Sequence, residues 1–233
     1  MKIALLGITG VPLGKHNVKD PRLDQIDQLV EAKKKTYAQV DVVGEDEVTT
    51  ADAIVVSPSQ RLDLILQDIE FVETRLGRNP PETERVVLEK IKTCLESDRM
   101  ISEAGLTAEE TKAVEAHAFV TTKPVVVAEA QDVEQFDEFL VKVIAAAGYI
   151  CFLTVGGVDN RAWLIKKGIT AWEASGAIHT DIQKGFIRAE IIAFDDAIAA
   201  GGEVQAKRAN KQRLEMKPYV MQDFDLTTFR FNK

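Results

Sequence analysis

Near the amino end, Gly10-Val11-Pro12-Leu13-Gly14-Lys15-His16 sets two glycines before a lysine, residue types suited to binding phosphate. A phosphate loop needs G-x-x-x-x-G-K-[ST]: glycines let backbone N–H groups surround the phosphates, the lysine meets their charge, and the hydroxyl binds Mg²⁺. Gly14 and Lys15 are in place, but Thr9 stands where the first glycine belongs and His16 where the hydroxyl belongs. Pro12 removes an amide donor, and residues 17–20 do not read as the helix whose amino end should face the phosphates. The segment is therefore weighed between a plain surface loop and a rearranged nucleotide site at Gly14-Lys15, which would take ATP or GTP with Mg²⁺. A second constellation is cationic. Lys207, Arg208, Lys211, Arg213 and Lys217 fall in eleven residues opposed only by Glu215, so Lys207, Arg208, Lys211 and Arg213 are candidate phosphate contacts to RNA, against a solvated lysine-rich face.

Other chemistries find no support in the spacing. His16, His117 and His179 are far apart, with no glutamate at ligand spacing on a helix, so no metal site is expected. Cys94 and Cys151 are single and lack the paired spacing of zinc or redox sites, and no G-x-S-x-G occurs. His179 and Asp181 read as a cap and a hydrogen-bonded histidine, and Trp163 and Trp172 as core anchors. No catalytic residue and no cofactor is expected.

The elements that must position these residues alternate between two periods. Lys2–Leu6 reads as a buried strand, followed by a loop running to about Pro21 and a helix over Arg22–Ala32. Tyr37–Val43 and Ala53–Val56 are strand candidates. From Arg61 the apolar residues Leu62, Ile65, Leu66, Ile69, Val72 and Leu76 recur at helical spacing, Asn79-Pro80-Pro81 breaks the run, and Thr83–Leu95 resumes it as an antiparallel hairpin. Thr107 and Glu110 form a capping-box pattern. Val125–Ala128 is a further strand and Val133–Ala147 a helix closed by Gly148. Strands over Tyr149–Val155, Arg161–Ile165, Ile187–Ile192, Tyr219–Met221 and Thr228–Phe231, with one helix near Ala171–Ile178, complete an α+β unit. The fold class is α/β: a reduced parallel sheet with a hairpin insertion, then a smaller mixed unit.

Composition sets the class around these elements. The chain has 233 residues, 45% hydrophobic and 28% charged, which excludes collagenous, disordered and disulfide-stapled classes. Met1–Gly7 is too short for a signal peptide, and no run reaches the ~18 apolar residues of a membrane span, so a cytoplasmic protein with no membrane partner is expected. Net charge is −8, but residues 148–233 carry 12 basic and 10 acidic side chains while residues 1–147 carry 17 and 27. The halves differ as modules, and any nucleic-acid contact belongs to the second.

A family resemblance becomes specific in that second half. Arg161-Ala162-Trp163, Lys166-Lys167-Gly168, Gly176-x-Ile178-His179-Thr180-Asp181, and Lys184-Gly185-Phe186-Ile187-Arg188-Ala189-Glu190 resemble the C-terminal TGS-type domain of the Obg-like ATPases, the YchF family of P-loop proteins. Tyr219-Val220-Met221-Gln222-Asp223-x-Asp225 and Phe229-Arg230-Phe231-Asn232 look like the final strands of the same domain. Weaker echoes upstream include Asp20-Pro21-Arg22-Leu23-Asp24, Lys33–Val40, the Asp68–Leu76 stretch and Thr121-Thr122-Lys123-Pro124-Val125. The resemblance implies a β-grasp fold at 149–233, a nucleotide-binding-like domain at 1–60 and 118–148, and a helical hairpin insertion at 61–117. It also implies association with ribosomes or RNA.

The resemblance exposes departures too. Asp41-Val42-Val43-Gly44 has the D-x-x-G form that serves Mg²⁺ and the γ-phosphate, yet the landmarks place Asp41 two positions before the family's aspartate. Where the family carries N-x-x-E for base recognition, this chain reads Val127-Ala128-Glu129-Ala130-Gln131-Asp132, and Glu129 has no amide to donate to a purine edge. The expectation is a degenerate, non-hydrolysing relative that binds RNA, a ribosomal surface or a protein partner through its C-terminal domain, with a homo-oligomer possible through the hairpin. The alternative is the hydrolase built around Gly14-Lys15.

Overall fold

The computed structural model describes residues 1–232, which fall into two compact units. One comprises Met1–His16 with Val40–Phe136, the other Asn17–Gln39 with the chain from Asp137 onward. In chain order the elements are β1 (Lys2–Leu6), β2 (Gly14–Val18), α1 (Pro21–Leu29), β3 (Ala32–Thr36), β4 (Ala38–Val43), β5 (Ala53–Val56), α2 (Pro58–Leu76), α3 (Glu82–Glu96), α4 (Ala108–Val114), β6 (Val125–Val127), α5 (Ala130–Glu134) and α6 (Phe136–Ala146). They continue with β7 (Tyr149–Thr154), β8 (Gly157–Lys166), α7 (Ala171–Ile178), α8 (Thr180–Lys184), β9 (Phe186–Ile192), α9 (Phe194–Ala200), α10 (Glu203–Arg208), β10 (Arg213–Glu215) and β11 (Leu226–Phe231).

The first sheet has the order β2-β4-β1-β5-β6, with β1 parallel to β4 and β5, and β5 parallel to β6. Parallel strands are covered on both faces, which is why β1 and β5 are continuous apolar runs rather than alternating ones. Ile3, Ala4, Ile54, Val55 and Val56 are accordingly buried. The hairpin helices α2 and α3 close a second core of Ile65, Val72, Val87, Leu88, Ile91 and Leu95. Asn79, between them, takes φ 51°, a left-handed conformation that asparagine tolerates.

Across that turn Arg75 grips Glu84 with two hydrogen bonds, Nε to Oε1 at 2.6 Å and Nη2 to Oε2 at 2.8 Å, and His117 Nε2 lies 2.8 Å from Glu84 Oε1. The Arg75 guanidinium, helped by His117 and opposed by burial, holds the Glu84 carboxyl down to about 2. An acid depressed in the fold adds stability that is fully present above its unfolded pKa, roughly 4.3, and is lost as the pH falls toward its folded value. Glu84→Gln should therefore lower the melting temperature at neutral pH, with the gap to the wild type closing between about pH 4.3 and pH 2. Thermal melts of both proteins across that range check this, and a gap independent of pH would refute it.

The second unit holds the order β10-β9-β11-β7-β8-β3. Within residues 149–232, the first and fifth strands, β7 and β11, lie parallel at the centre, β8 pairs antiparallel outside β7, and β9 then β10 follow outside β11. This is the β-grasp order, closed by a core of Phe152, Ile165, Ala171, Ala174, Phe186, Ile191 and Phe229.

Two segments sit differently from the sequence reading. The helix expected over Arg22–Ala32 stops at Leu29, and Ala32–Thr36 forms β3, which pairs in parallel with β8 from Ala32↔Gly157 to Thr36↔Arg161. Residues 17–39 thus join the second unit, although the reading carried 1–60 as part of the first domain. The run Ala-Lys-Lys-Lys-Thr has no apolar face to announce a strand, yet it occupies a sheet edge, where lysines are favoured. Residues 137–148, read with the first domain, likewise belong to the second unit. In the last third, four helices, α7 to α10, stand where one was expected, and Tyr219–Met221 makes only an isolated bridge from Val220 to Thr170. No helix among the described residues is long and apolar enough to cross a membrane.

Candidate functional site

In an open parallel sheet, ligands bind beyond the carboxyl ends of the strands. At that place the first unit has a crevice of about 220 Å³ lined by Gly7, Ile8, Thr9, Ser57, Pro58, Ala128 and Glu129, the residues that follow β1, β5 and β6. Gly7 has φ +64°, and a Cβ there would lie 2.5 Å from Ser57 Oγ and 2.6 Å from Gln60 Oε1, so a larger residue would be strained and would displace those side chains. Its amide donates to Glu45 Oε1 at 3.1 Å. A carboxylate of the chain itself thus holds the first backbone donor beyond β1. Glu45 opens a short 3-10 segment, Glu45–Thr50, directly after Gly44, and nothing in its spacing singled it out.

The opposite walls are also occupied by the chain's own groups. α2 begins at Pro58, which has no N–H, and the Ser57 hydroxyl sits 3.0 Å from the Ser59 hydroxyl rather than capping the helix. Glu129 is turned to the start of α5: its amide donates to Asp132 Oδ2 at 2.8 Å, and its Oε2 accepts from Gln131 at 2.9 Å.

Gly14 and Lys15 lie on β2 at the sheet edge, with β4 between them and β1, and neither lines the crevice. Lys15 is exposed, while His16 is held by Nε2 against Pro12 O at 2.7 Å and edge-on to Phe136. The segment expected as loop is a strand from Gly14, and no helix follows Lys15 to aim backbone amides at an anion. Asp41 pairs with Lys2 in the sheet register, an ordinary strand position.

In the second unit the basic run is largely neutralised from within. Lys207 pairs with Glu203 at 2.6 Å and Lys211 with Asp196 at 3.0 Å. Arg213 donates to the Tyr219 hydroxyl at 3.0 Å and lies 3.7 Å from Glu215 and 3.9 Å from the buried Asp225. Arg208 is exposed and makes no ion pair among the described residues. α10 and β10 divide the run, so it does not form one face of one element. Trp163 packs against the core as expected, whereas Trp172 is 40% exposed and is no core anchor. Among the described residues no group of three or more His, Cys, Asp or Glu is placed to hold a metal ion.

Comparison with known proteins bears on both units. Residues 149–232 match the family model YchF-GTPase_C, described as a protein of unknown function (DUF933). The ribosome-binding ATPase YchF of Pasteurella multocida is 31% identical over 245 residues, covering 76% of this chain and 67% of that protein. The chain belongs to the YchF family. The protein of the same name from Haemophilus influenzae is 34% identical over 233 residues, covering 73% of this chain and 64% of the relative. This YchF-family chain thus spans just under two thirds of the length of such relatives. In structure it resembles the Schizosaccharomyces pombe YchF GTPase with a TM-score of 0.77, at 19% identity, covering 99% of this chain and 97% of that one, a likeness of fold.

Proposed function

We propose that this YchF-family chain is a non-hydrolysing binding module, associating with a ribosomal or RNA surface through its TGS-like C-terminal unit. Its relatives carry the name ribosome-binding ATPase, and the reading keeps the first half of that name while giving up the second. The observation that carries it is at the β1 end. There the Gly7 amide is engaged by the Glu45 carboxylate, and Gly14-Lys15 leads into an edge strand instead of a helix. Phosphoryl transfer rests almost wholly on positioning and on neutralising phosphate charge. Here the crevice lining includes an acidic side chain, Glu129, with that of Glu45 on the Gly7 amide, and no lysine or arginine to meet phosphate charge. A nucleotide that gates a partner surface in an enzyme would have no hold on this chain, leaving binding constitutive.

Co-sedimentation with ribosomes tests the binding half. The chain is expected in the ribosomal pellet to the same extent with and without added ATP or GTP. Its absence from the pellet at low salt would dismiss the reading, and so would recovery that depends on nucleotide.

A further inference from the structure

We infer that the exposed Trp172 ring and the adjoining hollow lined by Lys184 and Phe231 form a stacking site for single-stranded RNA. The inference rests on the reading of the C-terminal unit as the binding module, and it moves the contact away from the basic run. Trp172 stands in the first turn of α7, between buried Ala171 and Ala174 on the core side and solvent on the other. Its indole Nε1 donates to Gln183 O at 3.0 Å and its amide to Lys217 O at 3.4 Å. The polar edge of the ring is satisfied and fixed by these bonds, while 40% of the residue stays exposed. An exposed aromatic held in this way is a ready platform for a base.

The charges beside it have the right sign and are unspent. Lys217 gives its carbonyl to the Trp172 amide, and Lys184 directly follows Gln183, whose carbonyl accepts from the indole, so both backbone segments that hold Trp172 carry an exposed lysine. Neither ammonium makes an ion pair or side-chain hydrogen bond among the described residues, in contrast to Lys207, Lys211 and Arg213. Lys184 also lines an open hollow of about 650 Å³ with Asp181, Gly185, Phe231 and Asn232. Gly185 keeps its floor flat: a Cβ there would fall 2.1 Å from Asn232 O, so no larger residue can stand against the end of β11. Phe231, 36% exposed, supplies a second ring.

Exposed rings and unpaired cations are the components that sequence-tolerant recognition of single strands uses: bases stack and the backbone meets positive charge. Of the carboxylates on these segments, Glu173 is committed to Thr170 in a capping box, Glu215 lies 3.7 Å from Arg213, and Asp181 lies 3.4 Å from His179.

The test uses the full chain and fluorescein-labelled oligouridylate and oligoadenylate of about 12 nucleotides, a length within the range of single-strand sites. Binding is followed by anisotropy over about 50–300 mM salt, with ribosome co-sedimentation in parallel. Trp172→Ala should weaken oligonucleotide binding roughly 5- to 150-fold, the range expected for one lost stacking contact, while Trp172→Phe, which keeps a ring, stays within about threefold. Lys184→Ala and Lys217→Ala should each reduce the salt slope by about 0.7. Quenching of tryptophan emission by RNA should be present in the wild type and lost in Trp172→Phe. Equal binding by Trp172→Ala with an unchanged melt overturns the inference. Ribosome binding without any oligonucleotide binding also overturns it, pointing to a protein contact while leaving the proposed function standing. Failure of the wild type to bind either would remove both.

Discussion

Asp68→Ala is expected to destabilise the first unit by about 3–5 kcal/mol, the sum for several buried donors stripped of their acceptor. Asp68 is 3% exposed on α2, and its carboxylate receives the Val120 amide at 3.2 Å, the Thr121 amide at 2.8 Å and the Thr121 hydroxyl at 2.7 Å. It is the peg on which the segment leading into β6 hangs. Thr121, fully buried, passes the connection on, since its Oγ1 accepts from the Ile101 amide at 3.3 Å. Alanine removes every acceptor at once, whereas asparagine keeps one oxygen and should lose less. Urea melts followed by circular dichroism would measure both variants. A loss under about 1 kcal/mol for alanine would mean that water readily replaces the carboxylate and that the peg is not structural.

Lys123→Met is expected to cost about 2–4 kcal/mol and to loosen the segment that holds Glu45. The Lys123 ammonium donates to three carbonyls, Val48 O at 2.8 Å, Thr49 O at 2.5 Å and Ala51 O at 2.8 Å, closing the carboxyl end of the short helix that Glu45 opens. A cation there also suits the partial negative charge of a helix carboxyl end. Burial pushes its pKa down, with Asp52 opposing. Methionine matches the length of the stem but leaves the three carbonyls bare. Hydrogen exchange by mass spectrometry should show faster exchange across residues 44–51 and at the Gly7 amide. If only residues next to Lys123 respond, the link between this lysine and the crevice fails.

These effects concern interactions that sequence patterns register unevenly. Hydrophobic period was enough for β1, β5 and the α2–α3 hairpin, because burial there is dictated by which face must leave water. The Thr107–Glu110 capping box is present with both of its hydrogen bonds, a short-range feature that needs no tertiary knowledge. β3 escaped notice because its lysines contribute charge at an edge, and its partner β8 lies more than a hundred residues away. The same limit hid the Glu45 contact to Gly7, which depends on the tight turn after β4, and the pairing of Lys211 with Asp196 and of Arg213 with Asp225, whereas the Lys207–Glu203 pair is a local i,i+4 contact within α10. Trp172 departs from expectation for a related reason: tryptophan is usually largely buried, and it is the placement of α7 that leaves this one 40% exposed.

The hydrolase alternative at Gly14-Lys15 and the non-hydrolysing module part most cleanly over nucleotide itself. Isothermal titration of the chain with ATP and with GTP, each with and without Mg²⁺, is predicted to release no binding heat, and neither nucleotide should raise the melting temperature. Micromolar binding that disappears in Lys15→Ala would contradict the account.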